Sequence, residues 1–150
     1  MTKFKFRLAT LLRLRNAARD ERRGQLAEAY RADEIIHQKH RQLAEELAAI
    51  QKQQREACGP GPVNVDRLLS DQRYAFLLAA QQGHTERQRL LLAAEIERRR
   101  QLLMEANREV RVLEKLEQRQ RERHQEEENR LDIRELDEIA HRRAAPQEAP

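Results

Sequence analysis

From residue 36 to residue 57, Ile36, His40, Leu43, Leu47, Ile50, Gln54 and Ala57 recur at alternating spacings of four and three. That is the rhythm of a coiled-coil seam with two polar interruptions. Further along, Ile96, Leu103 and Val110 lie seven apart, with Leu92, Ala106 and Leu113 in the intermediate rows. Strong punctuation is confined to one internal place, Cys58-Gly59-Pro60-Gly61-Pro62-Val63-Asn64. Gly59 is placed to be the left-handed residue after a helix, Pro60 forbids its continuation, and Asn64 caps the next one. The pattern therefore predicts a helix over 4–58, a turn over 59–64 and a helix over 64–143. Gly24 and Gly83 interrupt these helices without ending them. Residues 144–150, with Pro146 and Pro150, read as a disordered tail.

A short loop makes the two helices antiparallel neighbours. With the turn centred near residues 62–63, position i faces position 125 − i. Ile50 then meets Ala75, Leu47 meets Leu78, Ala29 meets Ile96 and Leu12 meets Leu113. Apolar meets apolar each time, so these residues, with Leu103 and Val110, are the expected hairpin core. The expected fold is all-α, one antiparallel coiled-coil hairpin over 4–143. Its second helix overhangs the first. From Glu117 to Arg130 no side chain is apolar, and position 121 is the mirror of Phe4, where the partner helix starts. Beyond it, Leu131, Ile133, Leu136, Ile139 and Ala140 restore an apolar patch with no partner inside the chain. Such a patch is an interaction surface or a frayed end.

Composition narrows the function classes. Of 150 residues, 37% are charged, 39% hydrophobic and 3% aromatic, with no Trp. That suits long helices around a thin seam, and leaves little for a core around a substrate pocket. The longest strictly apolar run, Ala75 to Ala80, is far short of the roughly 20 residues a membrane span needs. The net charge of +4 comes from the start of the chain, where Lys3, Lys5, Arg7, Arg13 and Arg15 stand among few acids. Those groups suit phosphates or an acidic lipid surface, but without aromatic stacking residues no nucleic-acid partner is expected.

No constellation points to catalysis. His37 and His40 lie three apart, but two ligands do not make a metal site. Ser70 has no His and Asp in register with it, and the Gly59–Pro62 stretch lacks the lysine of a phosphate loop. The lone Cys58 excludes an internal disulfide. No enzyme activity, cofactor, metal or small-molecule ligand is expected. Near the turn, Tyr74, Phe76, Leu77 and Leu78 form the main aromatic cluster, either a cap on the hairpin tip or a docking surface.

The opening Phe4-Lys5-Phe6-Arg7-Leu8 with Leu11-Leu12-Arg13-Leu14-Arg15, and the closing Arg134-Glu135-Leu136-Asp137-Glu138-Ile139-Ala140, resemble the two ends of the FliJ proteins of the bacterial flagellar type III export apparatus. The resemblance covers about residues 4–143, its middle little more than coiled-coil composition. It implies a non-enzymatic stalk-like adaptor, similar to the central stalk of rotary ATPases, that links and stimulates the export ATPase ring and the membrane export gate and escorts export chaperones. It implies a cytoplasmic protein held peripherally at the inner membrane at the flagellar base, and a monomer when free. By position, Tyr74 and Leu78 fall where the family keeps its export-gate contact. The hairpin brings both ends together, so Lys3, Lys5, Arg7, Leu131, Ile133, Leu136, Ile139, Arg142 and Arg143 are the expected ATPase-binding end, an apolar patch with a basic rim. The alternatives are a stalk protein of the related injectisomes and a generic dimerising coiled coil.

Overall fold

The computed structural model describes residues 3–144. Two helices, α1 (Ala9–Ala57) and α2 (Val65–Ala144), account for nearly all of it, and no strand occurs among the described residues. They form an antiparallel helical hairpin. Ala144 is the last residue of α2, and the rest of the expected tail lies outside the described residues.

The turn departs from expectation in one respect. The positive φ belongs to Gly61, at 150°, and not to Gly59. The Gly59 amide instead closes a tight turn onto the Glu56 carbonyl at 3.1 Å. A Cβ on Gly59 would stand 3.1 Å from that same oxygen, so glycine serves a close approach there, and left-handed backbone is needed two residues later. Asn64 acts as read: its side-chain oxygen accepts from the Arg67 amide at 3.1 Å, a helix N-cap bond.

Contacts divide the chain into two units, residues 21–104 and residues 1–20 with 105–150. In the first, Leu43 and Leu78 are each 2% exposed and Ala29 4%. Leu47, Ile50, Ala75, Ile96 and Leu103 are half-buried beside them. Polar layers interrupt this seam. Thr85 is buried and donates to its own helix, at the Gln81 carbonyl, over 2.6 Å. His40 Nδ1 and Asp71 Oδ2 are buried without a hydrogen bond among the described residues. Such layers cost stability and help to fix register.

In the second unit Val110 and Leu113 are buried and Leu12 is half-buried. Arg15 reaches Glu109 at 2.8 Å, one position from the expected pairing. The expected helical start at Phe4 is corrected: α1 begins at Ala9, after a non-helical segment. In a helix Phe4 and Phe6 would point about 200° apart. Outside one, residues two apart share a side. The Phe4 ring packs 5.8 Å from His124 and lies 5.7 Å below the Arg121 guanidinium, and Phe6 is buried. The segment leaves the helix and packs its aromatic groups on this unit.

Candidate interaction sites

The overhang of α2 is observed in the unit that holds both ends of the chain. Every residue from Asn129 to Arg143 is exposed. Leu131, Ile133, Leu136 and Ile139 are between 47% and 65% exposed, large values for side chains of this kind. They do not all share a face. At 100° per residue Ile133, Leu136 and Ile139 fall within an arc of about 120°, while Leu131 lies about 140° from Leu136.

The expected basic rim is corrected. Lys5 and Arg7 line a groove with Phe4, Glu117 and Arg121, at the root of the overhang. Arg142 lies about 27 Å beyond His124 at 1.5 Å per residue. It pairs along its own helix with Glu138, at 3.4 Å. The apolar stretch therefore stands between two basic clusters, Lys3, Lys5 and Arg7 at its root and Arg142 and Arg143 at its tip. The physical reason is length: α2 runs on for several turns after α1 has ended.

Near the turn the structure separates the two residues expected to act together. Tyr74 is 44% exposed, whereas Leu78 is 2% exposed and belongs to the seam. The Tyr74 hydroxyl donates to Glu46 on α1 at 3.2 Å, and that carboxylate raises the phenol above its usual pKa. Phe76, 79% exposed, and Leu77, 50%, are the outward apolar groups beside it. Leu78 supports this face from inside and offers no side chain to a partner.

One polar cluster was not foreseen. Glu95 accepts from Arg98 at 2.9 Å and from Arg99 at 2.7 Å. Arg99 also donates across the seam to the Gln25 carbonyl, clamping α1 to α2. Hydrogen bonds from Arg98 and then Arg99 hold the Glu95 carboxyl at about 2, well below its usual 4.5. A carboxylate with a depressed folded-state pKa stabilises the fold above the unfolded value and ceases to do so once protonated in both states. Glu95→Gln is therefore expected to melt below the parent at neutral pH. The gap should close as pH falls from about 4.5 to about 2. A gap that persists at pH 2 would assign it to packing.

His37 lies 3.4 Å from Asp33, and no group of three His, Cys, Asp or Glu among the described residues is placed to hold a metal ion. No helix among them is long and apolar enough to cross a membrane. Large apolar groups stay exposed in each unit, on the overhang and beside Tyr74. The sequence matches the family model described as flagellar FliJ protein over residues 4–149.

The chain belongs to the FliJ family. It is thus a component of the flagellar export apparatus, in a family that is structural there. No curated protein and no solved structure gives a significant match.

Proposed function

We propose that this FliJ family protein is a stalk-like adaptor that links the export ATPase ring to the membrane export gate and stimulates hydrolysis, and that it escorts export chaperones. The observation that carries this reading is the overhang, where Leu131, Ile133, Leu136 and Ile139 stand exposed on a stretch of α2 in which every residue from Asn129 to Arg143 is open to solvent. Exposed apolar groups of that size gain free energy only when another surface covers them. A ring with an apolar lumen and acidic loops suits them, and the basic clusters at root and tip steer the helix in. Tyr74, with Leu77 beside it, is the face toward the export gate. The same reading places the protein on the cytoplasmic side of the inner membrane, held there through these partners.

The test is to capture the full chain from the cytosol of a flagellated cell and ask whether the export ATPase comes with it. Recovery of the ATPase, lost when Leu136 is replaced by Asp, is expected. Equal recovery with Leu136→Asp would move the contact away from the overhang. Absence of the ATPase from the parent capture would overturn the stalk reading.

A further inference from the structure

The seam of α2 in the unit 21–104 runs through Ala75, Leu78, Thr85, Leu92 and Ile96, all buried or half-buried. The opposite face of a heptad helix is ordinarily polar. Here it is not. Leu69, Phe76 and Leu90 point outward at spacings of seven and fourteen residues and are 46%, 79% and 65% exposed. The exposed small residues Ala80, Gly83 and Ala94 stand on the same stripe. With Arg73, Arg87, Glu97 and Gln101 these positions alternate by four and three from residue 69 to residue 101. That is a second seam, and α1 covers none of it. Gly83 sits on it in open space, with nothing within 4 Å of where a Cβ would be. A mid-helix glycine costs about 1 kcal/mol relative to Ala, and no contact among the described residues compensates for it.

We propose that this stripe is the contact between two copies of the chain, lying antiparallel across a two-fold axis. The occupant is indicated by the stripe's complementarity to itself. In an antiparallel pair the two kinds of seam position face each other across the interface, and a two-fold axis repeats each match. With the axis level with Thr85, four of the five kinds of layer are complementary, and only the outermost sets Leu69 against the amide of Gln101. Phe76 meets Ala94 of the second copy and Leu90 meets Ala80, large against small. Arg87 lies over Gly83, where the missing Cβ leaves room for its stem. Arg73 meets Glu97, opposite charge against opposite charge. Arg73 and Arg87 make no ion pair among the described residues, while Glu97 holds only an exposed contact with Arg100 at 3.5 Å.

One helix stripe of this length covers less than the roughly 800 Å² per partner of a standard interface, so association is weak, with Kd on the order of 10–100 µM. At lower concentration the chain is a monomer. The inference stands on the stripe alone and does not depend on the export reading.

The experiment is sedimentation equilibrium of the full chain over about a hundredfold concentration range around that Kd. Weight-average mass should climb from one chain toward two. Phe76→Glu, Arg73→Glu and Glu97→Arg should each weaken association at least about tenfold. All three positions are exposed, so circular dichroism should show the helices intact. The double variant Arg73→Glu with Glu97→Arg should restore dimerisation, because both charge pairs are re-formed with signs exchanged. A mass of one chain at every concentration would overturn the proposal and leave the stripe to a different protein. Dimerisation indifferent to Phe76→Glu, or not restored by the charge exchange, would overturn it equally.

Discussion

Deletion of residues 131–150 is expected to abolish stimulation of the export ATPase while leaving the hairpin folded. The seam does not need that segment: Val110 and Leu113 are buried well before it, and Phe4 and Phe6 close the unit near residue 124. The deletion removes Leu131, Ile133, Leu136 and Ile139, all of them exposed among the described residues. Helical signal should fall only by the turns removed, and the melting temperature should hardly move. Stimulation should fall much further. An apolar anchor buried at an interface is worth about 2 kcal/mol, roughly thirtyfold in affinity, and the deletion takes several at once. The measurement is ATP hydrolysis by the purified ATPase with parent or truncated protein. Full stimulation by the truncated chain would place the contact on the paired part of the hairpin.

Leu78→Ala is expected to cost about 3 kcal/mol of folding stability, within the usual span for a buried leucine reduced to alanine. Leu78 is 2% exposed, and the only other side chain in its unit buried as deeply is Leu43. A two-helix seam has little with which to refill the cavity, since the side chains around it are open to water on both flanks. Domains are stable by only about 5–15 kcal/mol, so this single change removes a large share. Tyr74→Ala, four residues away and 44% exposed, should cost less than about 1 kcal/mol and act instead on export-gate affinity. Urea unfolding of the two variants checks the contrast. If Leu78→Ala left stability unchanged and cost gate binding, Leu78 would be a contact residue after all.

The family was legible in the two ends of the chain, but the separation of exposed Tyr74 from buried Leu78 was not. Both lie on one side of α2 by spacing, and spacing alone does not say where burial ends. The polar clamp of Glu95, Arg98 and Arg99 on the Gln25 carbonyl was hidden for another reason. Glu and Arg three and four apart are ordinary on an exposed helix, and only the neighbouring backbone turns one of them into a crosspiece. The outward stripe of Leu69, Phe76 and Leu90 had a signal in the heptad count. It becomes meaningful only once α1 is known to cover the other face.

What the sequence determined by itself is local and periodic. Spacings of three and four made two helices, Gly and Pro placed a single turn, and Asn64 capped the second helix. Apolar positions matching across the turn then set the antiparallel pairing, because seam burial is worth more than any exposed ion pair. The tertiary structure decided what depends on where the partner ends and which way side chains face. It put Phe4 and Phe6 against the other unit-mates outside any helix, turned Leu78 inward and Leu77 outward, and set the basic start and the basic end of the chain about 27 Å apart along α2. Those outcomes follow from the competition of whole elements for one narrow seam, which no short stretch of sequence contains.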